Sequence, residues 1–353
     1  MAEWGSSEER GSGKDLGSGK GSGSSRDSGS CRGSGTAVGR SGGGEPTGRA
    51  AGAGPSHSRN DRHRTGGCGI RTVRKGQGVT EQGTGGGGFA AEEIDTSRPH
   101  PARMYDYYLG GWDNYEVDRA AAERFIEVIP DIRPGARANR DFLLRAVRKV
   151  VESGVRQIID IGTGIPTSPN THEVAQEADP DVRVVYVDND PIVATHAGAK
   201  LTNNGNASFL LADVREPERI LAHPELRRMI DFDQPVALLL VAILHFIPDE
   251  EDPAGIVAAL AEALPEGSCL VLSHGTTDFH SEAARAAADA YKNATASVTL
   301  RTYADIVPFF DGFELLDPGV VQVPLWHPDG EPPTPAELAR VGFYGGVGVK
   351  GGR

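Results

Sequence analysis

Residues 157–167 read QIIDIGTGIPT, and residues 182–190 read VRVVYVDND. The first stretch is an apolar run interrupted by Asp160, and it breaks at Gly162 and Gly164. Two glycines in this spacing let a backbone turn sharply and come close to a ligand. The second stretch is another apolar run that ends in acids. Working outward, strands are expected at 157–161, 182–187, 207–211, 236–241 and 269–273. Helical patterns separate or follow them at 171–178, 191–201, 217–229, 253–264 and 281–295. The strands ALLLV and LVL do not alternate polar with apolar residues. Continuous apolarity requires burial on both faces, hence a parallel sheet covered by helices. Right-handed crossovers then give an open, doubly wound α/β fold. A helical run at 303–310 and strands at 313–316 and 343–349 follow, the last two expected to pair as a hairpin-like edge. Three helices precede the sheet, at 99–109, 116–129 and 134–152; the last has Pro134 in its first turn.

The first 90 residues have a different texture. They hold 27 of the 47 glycines, with 13 Lys and Arg against 8 Asp and Glu, so this part carries +5 and the remainder −18. A segment almost without aliphatic residues cannot offset an ordering cost of roughly 1–2 kcal/mol per residue. Residues 1–92 are therefore expected to be a disordered Gly/Ser/Arg-rich tail. The domain is expected at 93–353, with a helical N-terminal lid at 93–154 and a Rossmann-like core at 155–353. A translation start near Val73 or Val79 is a second expectation for the tail. The acidic domain argues against nucleic-acid binding. Cys31, Cys68 and Cys269 form no metal-ligand spacing and no disulfide framework. No apolar leader or membrane span is legible, so no membrane partner and a cytoplasmic location are expected. The sequence leaves the oligomeric state open.

In an open parallel sheet, ligands bind beyond the carboxyl ends of the strands, where strand order reverses. After the first strand stand Asp160, Gly162, Thr163 and Gly164. A dinucleotide fingerprint needs a third small residue at position 167, which is Thr, so the turn suits a cofactor without phosphates. After the second strand, Asp188 is placed to hold two ribose hydroxyls in bidentate fashion, while Asp190, before Pro191, is expected to cap a helix. After the third, Asp213 could accept from an adenine amine with Val214 against the ring, or cap the following helix. After the fourth, His245 is a candidate general base or an orienting group for an acceptor; packing of Leu244 and Phe246 beneath the cofactor, with His245 as a supporting hydrogen bonder, is the competing reading. His274 is expected to be structural. Arg103, Tyr105, Tyr107, Tyr108, Trp112, Asn114 and Tyr115 read mainly as core, with partial lining of a site as the alternative. Arg137, Asn139 and Arg140 read by default as a solvated helix face, with polar contacts to the site as the alternative.

The stretches PARMYDYYLGGWDNYEVDRAAAERF, RANRDFL, RQIIDIGTGIPT, HEVAQ, VVYVDNDPIV, ADVREPE, LLLVAILHFIPD and YGGVGVK together make the chain resemble the class I S-adenosylmethionine methyltransferases. More narrowly, it resembles an actinobacterial family of that class for which no acceptor is assigned. The resemblance runs from about residue 96 to residue 350. It implies a Rossmann-like, doubly wound seven-stranded sheet with an antiparallel last strand. It also implies S-adenosylmethionine as cofactor and no metal. Asp160, Gly162, Thr163 and Gly164 would hold the methionine part, Asp188 the ribose, and Asp213 with Val214 the adenine. Asn189 and Ala242, on the same loops, join this set. Pro166 stands where many of these enzymes have a third glycine. The methionine carboxylate would then find its donors at Thr163, Thr167 or Arg103. In-line displacement at a sulfonium methyl mainly needs orientation and desolvation. Where a base is required, His245 is the first candidate and Tyr107 the second. Methyl transfer to a small-molecule acceptor is the expected function. A non-catalytic cofactor-binding regulator and a nicotinamide-dependent oxidoreductase are the alternatives.

Overall fold

The computed structural model describes residues 95–201, 204–279 and 295–351. The tail expected at 1–92 and the helix expected at 281–295 lie outside the described residues, the latter but for Thr295.

The parallel strands are β1 (Gln157–Ile161), β2 (Arg183–Asp188), β3 (Ala207–Leu211), β4 (Ala237–Val241) and β5 (Cys269–Gly275). Three more follow: β6 (Phe313–Leu315), the two-residue β7 (Val321–Gln322) and β8 (Phe343–Lys350). Strand order is β3-β2-β1-β4-β5-β8-β6, with β7 also paired to β8. β8 runs antiparallel to β5 on one side and to β6 on the other. The final two expected strands do pair, but β8 is an interior strand and β6 is the edge. The seven-stranded path carries β7 as an addition.

Alternate residues of each strand point to opposite faces, and both faces are buried. Ile159, Val185, Leu238, Leu240, Leu270 and Leu272 join one core. Ile158, Val184, Leu239, Val271 and Val347 join the other. That double burial is why the strands read as unbroken apolar runs.

β8 reads FYGGVGVK because an interior strand must fit between crowded faces. A Cβ at Gly345 would stand 2.9 Å from both the Phe142 ring and a Val323 methyl. Gly345→Ala is expected to lower stability by about 1–3 kcal/mol through overpacking. The check is a lower urea midpoint with an unchanged slope.

The helices that cover the sheet start as the sequence suggests, with local differences. The stretch expected as one helix at 217–229 is two, α6 (Pro217–Ala222) and α7 (Pro224–Met229). Pro224 cannot continue the preceding helix. Instead His223 caps α7, its Nδ1 accepting from the Glu225 N–H at 3.2 Å. α1 (Pro101–Leu109) begins after His100, whose ring caps it, and ends at Gly110 with φ +87°. α2 (Glu116–Val128) packs on α1 through Met104, Tyr108, Ala121 and Phe125. α3 (Ile132–Glu152), expected in the lid, joins α1 and α2 through Ala136 at its start and packs on the sheet along the rest of its length. Its stripe Phe142, Leu143, Ala146, Val147 and Val150 belongs to the second core.

Candidate functional site

The carboxyl ends of β1 and β4 are adjacent, and the chain leaves them for opposite faces. The cleft opens there, about 1060 Å³ with its mouth included. Asp160, Gly162, Thr163, Gly164, Asp188, Asn189, Asp213, Val214 and Ala242 all line it.

The turn after β1 is built by positive φ at Gly162 (+73°) and Gly164 (+67°). At Gly162 a Cβ would also stand 2.6 Å from the Ile243 side chain, so this position has room for hydrogen alone. The Gly162 N–H donates to the Val187 carbonyl at 2.8 Å, which ties the turn to β2. The Gly164 N–H donates to Asp188 Oδ2 at 2.8 Å, and the Asp190 N–H to Asp188 Oδ1 at 3.0 Å. Burial pushes the Asp188 carboxyl up to about 6 despite these donors. Asp160 is buried at the base of the turn and accepts from the Thr171 hydroxyl at 2.7 Å. Burial lifts it to about 6 as well. Its first task is thus to anchor the start of α4 (Thr171–Ala178).

Asp213 behaves differently. Burial opposes its ionisation, yet hydrogen bonds from Arg215 and Asn189 and the Arg215 charge outweigh it. The carboxyl is held below its ordinary range. The Arg215 N–H donates to Oδ1 at 3.0 Å and the Asn189 amide to Oδ2 at 2.9 Å. Arg215 also pairs with Glu251 and donates to the Phe246 carbonyl at 3.2 Å. The loops after β2, β3 and β4 are in this way joined across the cleft.

On the β4 side, Ala242 has φ +56°. Its N–H donates to Ser273 Oγ at 3.0 Å. Ser273 Oγ donates to Asn139 Oδ1 at 2.5 Å, and the Asn139 amide to the Tyr105 hydroxyl at 3.0 Å. This chain connects β4, β5, α3 and α1 at the cleft floor.

Three expected residues are placed elsewhere. Arg103 does not reach the cleft. It is buried, 2% exposed, with Nη1 3.4 Å from Asp118 and Nε 3.3 Å from Asp190; a buried guanidinium is drawn to buried carboxylates. Tyr107 points away from the cleft, bonded to Glu123 with the Arg133 guanidinium 4.8 Å from its ring centre. His245 is close but lines a neighbouring chamber. Its Nδ1 accepts from the Gly275 N–H at 3.4 Å, so the ring proton belongs on Nε2. Burial first, then His274 and Arg301, hold its pKa well below the ordinary value. A neutral ring in that state is poorly placed to take up a proton as a general base. His274 lies inside β5, fully buried, and burial brings its pKa down to about 3; its ring meets the Arg301 guanidinium at 2.9 Å.

His100, Tyr105, Asn139 and Arg140 also line the cleft. His100 carries no spacing signal beyond its place between two prolines at a helix start. Asn139 and Arg140 read as a solvated face because α3 is amphipathic by pattern, and only its docking turns them inward. The Arg140 Nη2 donates to the Thr167 and Pro169 carbonyls, each at 2.6 Å, while its Nε is buried with no hydrogen-bond partner. Trp112, at the other extreme, is 92% exposed. Among the described residues no group of three or more His, Cys, Asp or Glu is arranged to hold a metal ion.

Residues 88–351 match the family model described as S-adenosyl methyltransferase. The fold is similar to that of a DUF574 family protein from Streptomyces avermitilis, 45% identical, with a TM-score of 0.70, over 73% of this chain and 100% of that one. It is also similar to a candidate methyltransferase from Thermobifida fusca, 42% identical, with a TM-score of 0.68, over 72% of this chain and 96% of that one. No curated protein matches. The identities and their coverage, together with the family match, place the chain in the S-adenosyl methyltransferase family, as an S-adenosylmethionine-dependent methyltransferase of the actinobacterial type.

Proposed function

We propose that the cleft holds S-adenosylmethionine with its ribose on Asp188, its adenine beside Asp213 and Val214, and its methionine part along residues 160–164. The group supplies an activated methyl on a sulfonium. The cleft suits it on three counts. Asp188 stands at the end of β2 with acceptor capacity left for a diol. No phosphate cradle is formed, as a cofactor without phosphates requires. The Arg140 guanidinium on the cleft wall offers a carboxylate the charge and donor that Pro166 denies it, since Pro has no amide hydrogen.

The observation that carries this reading is the Gly164 to Asp188 hydrogen bond, which sets the turn and the acid at one rim. Arg140 then takes the role expected of Arg103, Thr163 or Thr167. Arg140→Met is expected to weaken S-adenosylhomocysteine binding about tenfold, the worth of one charged hydrogen bond. Binding of 5′-methylthioadenosine, which has no carboxylate, should be unchanged. Calorimetry on both ligands checks this, and equal losses would overturn the role.

The acceptor is a small molecule, a reading supported by a concave second chamber and by an acidic domain ill suited to nucleic acid. Ala242 and Phe246 border both cavities, which supports methyl transfer across them. The chain's own contribution is orientation and exclusion of water. Among the described residues no helix is long and apolar enough to cross a membrane, and Cys269 is a free thiol; both support a cytoplasmic enzyme. Transfer of radiolabel from labelled S-adenosylmethionine into a size-fractionated cell extract tests the whole reading. Label confined to the low-mass fraction is expected. Label in protein or RNA would overturn the small acceptor, and absence of any transfer would favour a regulator.

A further inference from the structure

Behind Ala242 and Phe246 lies the second chamber, about 980 Å³ with its mouth included. Pro101, Tyr105, Ala242 and Phe246 are common to its wall and to that of the cleft. Its interior is built from elements far apart in sequence: Tyr108 of α1, Phe125 of α2, His245 after β4, Val298 and Leu300, and Phe343 at the start of β8. Tyr108, Phe125, His245 and Phe343 are each at most 7% exposed.

The charge inventory is short. Apart from His245, the ionisable groups among the described lining residues are the partly buried Tyr105, the buried Tyr108, Asp131 and Arg340. Asp131 and Arg340 sit at the rim, with side chains 38% and 56% exposed, and they neutralise each other at 2.7 Å. Burial also raises the Tyr105 hydroxyl above its ordinary pKa, so it stays neutral. His245 is neutral too, with its proton on Nε2. An ion entering this space would lose its water and meet no unpaired counter-charge among the described lining residues. Five aromatic rings line it: Tyr105, Tyr108, Phe125, Phe246 and Phe343. Such rings favour flat partners in stacked or edge-on contact.

We propose that this chamber is the methyl-acceptor site, and that the acceptor is an uncharged, aromatic small molecule whose oxygen or ring nitrogen accepts a hydrogen bond from His245. The proposal rests on the cofactor reading above, which places the reactive methyl on the cleft side of Ala242 and Phe246. His245 is on this view a positioning group for the acceptor, not a base. A lone pair of the acceptor forms the new bond to the methyl carbon as the methyl–sulfur bond breaks and S-adenosylhomocysteine leaves, and a methylated nitrogen that then carries a surplus proton loses it to bulk water when the product departs.

Photolabelling of the full chain tests the chamber without relying on turnover. Benzophenone is a neutral aromatic ketone of suitable shape, and 4-benzoylbenzoate is its charged relative. Irradiation with saturating S-adenosylhomocysteine, followed by peptide mapping, is expected to place benzophenone adducts on residues 125–135 and 298–300. The carboxylate should label them at least about tenfold less, as an unpaired buried charge demands. Ile129→Trp, which adds bulk to the lining, is expected to reduce labelling by about tenfold with S-adenosylhomocysteine affinity kept, which also certifies its fold. Adducts scattered over the surface, or equal labelling by the carboxylate, would overturn the proposal. Should the variant lose its fold, the contrast between the two probes on the unaltered chain still decides. The cofactor reading is judged separately, by S-adenosylhomocysteine calorimetry on the unaltered chain. Its failure there would leave the adduct map standing on its own.

Discussion

Asp188→Asn is expected to weaken S-adenosylhomocysteine binding about a hundredfold or more. The carboxylate accepts the Gly164 and Asp190 N–H groups and is proposed to accept two ribose hydroxyls besides. A hydrogen bond to a charged group is worth about 1.5–3 kcal/mol, and an amide can neither accept at both ends nor carry the charge. It would also turn a donor toward one of the two backbone N–H groups. Calorimetry measures the loss, and a change under about threefold would remove Asp188 from the ribose site.

The same group predicts a pH dependence. Its carboxyl is pushed up to about 6 in the folded chain by burial, against about 3.9 in an unfolded one. Ribose hydroxyls donate, so they prefer the ionised form. Affinity should therefore fall as pH drops through 6, by about tenfold between pH 7 and pH 5. Stability moves the other way: the folded state binds the proton more tightly than the unfolded one. The Asp188 contribution is most favourable below about pH 4 and declines as pH rises toward 6. Asp188→Asn should abolish the affinity step. Persistence of the step in the variant would assign it to Asp160, which titrates in the same window.

Arg103→Met is expected to cost about 3–5 kcal/mol of stability while leaving cofactor affinity within about threefold. Arg103 lies between Asp118, fully buried, and Asp190, 4% exposed. It also donates to the Arg98 carbonyl at 3.2 Å. Methionine fills the space and leaves two buried carboxylates without their cation. At this size the loss corresponds to a fall in melting temperature of about 10 °C. The two readouts separate structure from binding. If affinity fell a hundredfold with the melting temperature unmoved, Arg103 would be a ligand for the cofactor after all, and its buried ion pairs incidental.

Much of the architecture was legible because it rests on local pattern. Apolar runs, unbroken within β4 and interrupted in β1 by Asp160, mean double burial whichever residues do the covering. Gly162 and Gly164 announce a turn by lacking side chains, and acids after β2 and β3 fall at the ligand edge by topology alone. Residues whose work depends on a distant partner were less legible. Arg103 read mainly as core with site lining as the alternative, and its partners Asp118 and Asp190 show only in the fold. Tyr107 looked like a possible base until α1 turned it toward Glu123. Arg140 looked solvated, because an amphipathic pattern does not say which side of the polar face will meet a loop 27 residues on.

The amino-acid order alone thus settled the layer structure, the direction of the parallel strands and the rim of the sheet where the glycines and acids of the cleft gather. These follow from periodicity and from backbone freedom, which are properties of short segments. Tertiary structure alone decided that β8 lies inside the sheet, that Arg103 is an internal clamp, and that His245 sits neutral beside an aromatic chamber. Each of those depends on which surfaces meet after the chain has closed, and burial, not residue type, then sets the charge and the work of the side chain.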